Sequence, residues 1–123
     1  MGQIEPDKRI ALVVEDDALQ RESIVTLLQE SEMHVIQCES GEAAELVLEH
    51  VGGCLATLLT DVNLAGTMDG IELAQIARQR FPELRIIVIS ASPRVSRLPD
   101  GTQFIAKPWR PLELLREAHP WTH

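Results

Sequence analysis

ATLLTDVNLAGTMDG, residues 56–70, is the stretch on which the reading of this chain turns. Leu58, Leu59 and Thr60 carry an apolar run to Asp61, and a loop with Asn63, Gly66 and Asp69-Gly70 follows. Parallel strands covered on both faces read as continuous apolar runs. Ligands of such sheets bind just beyond the carboxyl ends of the strands. An acid at that point is either a helix cap or a group placed for chemistry. Two other apolar runs in the chain end in the same way, which favours chemistry.

Composition narrows the choices. The 123 residues suit one domain, 1–123, with residues 1–8 read as a flexible lead-in. The 45% hydrophobic content is ordinary for a globular protein, and no apolar stretch approaches a membrane span. The opening MGQIEPDKR has no signal-peptide core, so a cytoplasmic location is expected. Cys38 and Cys54 make no disulfide framework and no zinc spacing. His34, His50, His119 and His123 are scattered, and are read as surface or capping residues. A net charge of −8 repels phosphate backbones and anionic lipid. No nucleic-acid or membrane partner is therefore expected; proteins and small cations are.

Working outward, Ile10–Val14 is an apolar run that stops at Glu15-Asp16-Asp17. Leu19, Ile24, Leu27 and Leu28 predict a helix over about 17–31, with acids in its first turn suiting the helix dipole. His34–Cys38 predicts a short strand, and Ser40 an N-cap for a helix reaching about His50 before Gly52-Gly53. The third strand is read over 55–60, and a third helix runs from about Ile71 to before Pro82. Residues 85–89 predict a fourth strand ending in Ser90-Ala91-Ser92. PRVSRLPDG, 93–101, predicts loop with at most one helical turn. Gln103–Ala106 is a fifth strand ending at Lys107-Pro108-Trp109, and Pro111 opens a last helix to about Ala118. Strand and helix alternate five times, which means a parallel sheet with helices on both faces. The flavodoxin-like α/β order 2-1-3-4-5 puts the first and third strands side by side at the switch point.

One sheet edge then collects Glu15, Asp16, Asp17, Asp61, Ser90 and Lys107. Each has a bland explanation: an acidic helix start, a capping serine, a solvated lysine. Together they form a pattern. Carboxylates in one place repel, by roughly 4 kcal/mol per pair at close range and protein-like dielectric. A hard cation such as Mg²⁺ relieves this with few protein ligands. A carboxylate nucleophile, a divalent cation, a lysine and a hydroxyl suit phosphoryl transfer to aspartate.

At these residues the chain resembles the receiver domain of two-component response regulators, the CheY-like family. The motifs are LVVEDD (12–17), LLTDVNL with MDG (58–70), VISAS (88–92) and FIAKPW (104–109), over about residues 8–118. The resemblance implies that Asp61 is the phospho-acceptor. It implies Mg²⁺ held by Glu15, Asp16, Asp61 and the backbone carbonyl of Asn63, with Asp16 the more direct ligand of the acidic pair. It makes Ser90 the switch hydroxyl that turns toward the phosphoryl group, Lys107 the cation that pairs with that group, and Phe104 the aromatic switch whose ring is buried on activation. Asp17, one residue past the acidic pair, is read as a helix cap. Three departures stand out. The 61–70 loop is one residue longer than the common form and lacks its proline. The stretch from Ser90 to Lys107 is shorter by more than a helical turn, so the fourth helix of the family is expected to be short or absent, which weakens the case for dimerisation by the common face. Trp109 replaces the usual phenylalanine.

The function implied is that of a single-domain receiver. It takes a phosphoryl group from the phosphohistidine of a sensor kinase or phosphotransfer protein and switches contacts with a downstream protein target. It is not a conventional enzyme, although it promotes its own phosphorylation and slow dephosphorylation. Only Pro120 to His123 follow the last helix, so no output domain is expected; an excised module of a hybrid kinase would look the same. A flavodoxin would need a neutral phosphate loop after the first strand, where three acids stand. A haloacid-dehalogenase-type phosphatase needs an acid where Asn63 lies. The remaining alternative is a receiver-like scaffold that binds its partner without phosphorylation.

Overall fold

The computed structural model describes residues 9–92 and 95–118. Five parallel strands, β1 (Ile10–Val14), β2 (His34–Cys38), β3 (Thr57–Asp61), β4 (Arg85–Ser90) and β5 (Gln103–Ala106), lie in the order β2-β1-β3-β4-β5. Four α-helices connect or follow them: α1 (Ala18–Glu30), α2 (Gly41–Val51), α3 (Gly70–Arg80) and α4 (Pro111–Ala118). The order is the one the sequence predicts. β3 is buried at every position and β4 at all but its first, as continuous apolar runs in the middle of a covered sheet require.

The alternation of side chains splits the core into two layers. Leu12, Val14, Leu58, Ile86 and Val88 pack with Ala44 and Leu48 of α2 and Leu73, Ala74 and Ala77 of α3. Ala11, Val13, Leu59, Ile87, Ile89 and Ile105 pack with Ile24, Val25 and Leu28 of α1 and Leu114 and Ala118 of α4. Each fully buried leucine or isoleucine contributes about 1.5–3 kcal/mol. Both faces of the sheet are therefore held, and the strand ends are left for other work. At the far end of the sheet, the buried Thr57 hydroxyl donates to the Ala118 carbonyl at 2.8 Å, tying the end of α4 to the start of β3.

The caps follow the sequence. Asp17 accepts from the Gln20 N–H, and Ser40 accepts from the Ala43 N–H. Asp69 and Glu72 form a reciprocal capping box at the start of α3. Two boundaries differ from expectation. α1 begins at Ala18 and has no acid in its first turn, because Glu15 to Asp17 are spent on the strand end and the cap. β3 begins at Thr57 rather than Leu55, because Leu55 closes a 3₁₀ turn by donating to the Gly52 carbonyl at 3.2 Å. His34 is exposed, and the exposed His50 ring lies 2.8 Å from the Leu46 carbonyl; His119 and His123 fall outside the described residues. Cys38 is buried and Cys54 exposed, both as free thiols.

Between β4 and β5 there is no helix among the described residues. Residues 95–102 form a strap instead, with Arg97 at φ 65° and Gly101 at φ 78°. The strap lies along α3. Gln75 Nε2 donates to the Arg97 carbonyl at 2.9 Å, Arg78 Nε donates to the Asp100 carbonyl at 3.0 Å, and Leu98 packs on the α2–α3 layer. Arg78 Nη1 also donates to the carbonyls of Pro82, at 2.9 Å, and Leu84, at 2.6 Å. One guanidinium thus staples two loops that lack a helix to organise them. Arg78→Ala is expected to lower the unfolding free energy by roughly 2 kcal/mol, since charged donors to carbonyls are among the stronger hydrogen bonds. Urea unfolding would measure it, and amide exchange in 95–102 should rise more than in β1 or β3.

Candidate functional site

Sheet register assembles the site. Val14 pairs with Thr60, Asp61 with Ile89 and Ser90 with Ala106. Glu15, Asp61, Ser90 and Lys107 consequently arrive at one edge from four neighbouring strands. From β1 the chain turns to α1, and from β3 it turns to α3 on the opposite face. The gap between these exits is the switch point at which open parallel sheets place their ligands.

Asp61 is 6% exposed and Glu15 2%. Lys107 Nζ lies 2.5 Å from Asp61 Oδ2 and 3.4 Å from Glu15 Oε1, and it donates to Gln20 Oε1 at 2.7 Å. Asp61 Oδ1 accepts from the Asn63 N–H at 3.2 Å. Glu15 Oε2 accepts from the Asp17 N–H at 3.2 Å, and the Glu15 carbonyl accepts from Arg21 at 2.8 Å. Burial, with the carboxylate of Asp61 alongside, raises the Glu15 pKa to about 7 against the opposing pull of the Asp17 N–H and Lys107. Burial works against the charge of Lys107 too. Its hydrogen bond to Asp61 and the charges of Asp61 and Glu15 outweigh that, so its pKa rises.

The remaining residues singled out in the sequence lie around this cluster. Asp16 follows Glu15 and is exposed. Ser90 is buried, and its hydroxyl accepts from the Ser92 N–H at 3.0 Å. Phe104, in register with Val88, is 37% exposed. Trp109 packs half-buried against the α1–α4 layer, after a cis Lys107–Pro108 peptide. Gln20 and Arg21 were not apparent from the sequence, where they look like ordinary polar positions on the first turn of a helix. Gly70 is fixed by close approach: a methyl group there would overlap the Asp61 carbonyl, and its N–H donates to the Val62 carbonyl at 2.8 Å.

No three His, Cys, Asp or Glu side chains among the described residues converge as a ready metal cage. The donors nonetheless fit Mg²⁺, which uses one or two carboxylates and keeps several waters. Two buried carboxylates, an exposed one beside them and a carbonyl in the adjoining loop offer hard oxygen donors, and the two buried carboxylates share one lysine.

A parallel sheet of this order, with an aspartate and lysine paired at its switch point, defines a CheY-like receiver fold. Residues 11–119 match the response regulator receiver domain, and the chain belongs to that family, which implies a part in two-component signal transduction. The response regulator receiver protein CpdR of Brucella abortus (strain 2308) is 34% identical over 115 residues, 89% of this chain and 92% of that protein. The receiver domain of the hybrid histidine kinase CckA is 25% identical with a TM-score of 0.79, over 93% of this chain and 99% of that one. A chain of the CheX–CheY–BeF3–Mg²⁺ complex of Borrelia burgdorferi is 21% identical with a TM-score of 0.78, over 88% of this chain and 84% of that one. This last likeness bears on the fold alone.

The raised Glu15 sets a pH dependence in the metal-free protein. The folded state holds this proton more tightly than the unfolded chain, whose carboxyl titrates near 4.5. The stability it contributes is complete below about 4.5 and is lost as pH rises through about 7. Denaturant unfolding in chelator across that window should show a downward slope for wild type that is smaller in Glu15→Gln. Equal slopes would mean that Glu15 keeps an ordinary pKa.

Proposed function

We propose that Asp61 accepts a phosphoryl group from a phosphohistidine, and that the charge it gains changes which protein partner the domain binds. The observation that carries this reading is the buried Asp61 carboxylate, held by Lys107 on one oxygen and by the Asn63 N–H on the other, with Glu15 beside it. An Asp61 oxygen attacks phosphorus and the phosphorus–nitrogen bond breaks. The imidazole nitrogen leaves with the electron pair and takes up a proton. Lys107 stays with the charge that passes to the phosphoryl oxygens, and the Ser90 hydroxyl turns from the Ser92 N–H to donate to one of them. Glu15, Asp16, Asp61 and the Asn63 carbonyl would hold Mg²⁺, which when bound neutralises negative charge on the transferring group. The acyl phosphate is later hydrolysed at the same site, so the domain promotes its own slow dephosphorylation without being a conventional enzyme.

Switching follows by population shift. Ser90 and Phe104 lie on neighbouring strands, and the ring, 37% exposed, has burial still to gain. The donor is a sensor histidine kinase or a histidine phosphotransfer protein, and the acceptor of the signal is a downstream protein, all in the cytoplasm. Among the described residues no helix is long and apolar enough to cross a membrane. A net charge of −8 argues against nucleic acid or anionic lipid as partner.

Intact-mass analysis after incubation with acetyl phosphate tests the acceptor. Wild type should gain one phosphoryl group only with Mg²⁺, and Asp61→Asn should gain none; labelling of that variant would remove Asp61 from its role. Lys107→Ala should still bind Mg²⁺, yet its partner affinity should no longer respond to phosphorylation. A normal response in Lys107→Ala would assign the coupling elsewhere.

A further inference from the structure

We infer that Glu42, on the first turn of α2, is a positioning residue that holds the 62–69 loop and thereby places the Asn63 carbonyl for the cation. The inference rests on the proposed Mg²⁺ site and extends it to a residue outside the strand-end cluster.

The loop departs from the usual pattern by one extra residue and a missing proline. A proline would restrict the backbone on its own; here contacts with the entry of α2 do so instead. Its ends are secured, since it leaves β3 at Asp61 and the Gly70 N–H donates to the Val62 carbonyl. The apex is secured by α2. Glu42 Oε2 accepts three hydrogen bonds, from the Thr67 N–H at 2.9 Å, the Thr67 hydroxyl at 2.8 Å and the Met68 N–H at 3.2 Å. An ordinary exposed carboxylate in an ion pair contributes little and fixes nothing. Here one oxygen gathers two successive backbone donors and a side chain, and the Thr67 hydroxyl and backbone donors lower the Glu42 pKa.

Three consecutive residues of the α2 entry take part. Ser40 forms a parallel bridge with Ala65. Gly41 leaves room for Met68, whose Cβ and Cγ would lie 3.0 Å from any methyl group added there. Gly66, at φ 91°, turns the chain under Glu42; a methyl group on it would come 2.6 Å from Glu42 Oε1. Leu64 and Met68 pack on the α2–α3 layer. With Ala65 to Met68 fixed to α2 and Asp61 fixed in the sheet, Asn63 has little freedom left. Its N–H meets Asp61 Oδ1, which ties the residue to the strand end on its other side.

The test compares wild type, Glu42→Ala, Glu42→Gln and Thr67→Val by Mg²⁺ titration calorimetry, with amide exchange of residues 63–68 as a second readout. Glu42→Ala should weaken Mg²⁺ binding about tenfold, as loss of an outer-shell support does, and should speed exchange in the loop. Glu42→Gln keeps an acceptor oxygen and should recover most of the affinity; Thr67→Val, which loses only the hydroxyl, should fall between. Glu42→Ala binding Mg²⁺ as wild type does, or a loop whose exchange is unchanged, would overturn the inference. Wild type failing to bind Mg²⁺ is a different result: it would overturn the metal reading itself, and this inference with it.

Discussion

Two buried carboxylates at adjacent strand ends can coexist only if something offsets their charge, and in this structure that is the Lys107 ammonium. Removing a carboxylate from water costs several kcal/mol even after relaxation. Glu15 and Asp61 are both nearly sealed, and Lys107 reaches both, steadied by Gln20. Burial still raises the Glu15 pKa, so the lysine does not offset the whole cost of sealing that carboxylate. Two carboxylates against one ammonium leave room for a cation, and the ammonium held on Asp61 is a ready contact for an anion.

The sheet makes that arrangement possible without weakening the fold. Its apolar layers occupy the middle and the start of the strands, where Leu58, Leu59, Ile86, Ile87 and Val88 are sealed on both sides. The polar groups gather at the ends, where each strand has already formed its ladder. The close fit of Gly70 under the Asp61 carbonyl joins the two regions. The helix that continues past the loop cannot move away from β3 without opening that contact.

Much of this was legible in the sequence, because apolar runs that stop abruptly at charge encode both the strands and the polar groups at their ends. Asp17 and Ser40 were legible as caps, since short side chains before a periodic apolar stretch have a known local use. Glu15, Asp61 and Lys107 were legible as one cluster, and the structure places them in contact; Ser90 lies on the neighbouring strand end, while Asp16 and Phe104 are turned more toward solvent. Less visible were residues whose role depends on distant partners. Gln20, Arg78 and Glu42 are common helix-surface types, and nothing near them in the chain announces Lys107, Asp100 or Thr67. The onset of β3 lies later than its apolar run suggests because Leu55 is apolar in a turn as much as in a strand. The shortness of the 91–102 segment predicted a short or absent helix, but not that α3 would anchor the strap that stands there.

The bond between Thr57 and the Ala118 carbonyl gives the domain a polarity. Thr57 begins the strand that Asp61 ends, four steps of roughly 3.3 Å later. The end of α4 therefore lies at the pole opposite the acidic cluster. α4, which opens four residues after Lys107 and ends at that bond, thus links the charged pole of the sheet to the opposite one, and a shift at Lys107 has a rigid element along which to reach the far end.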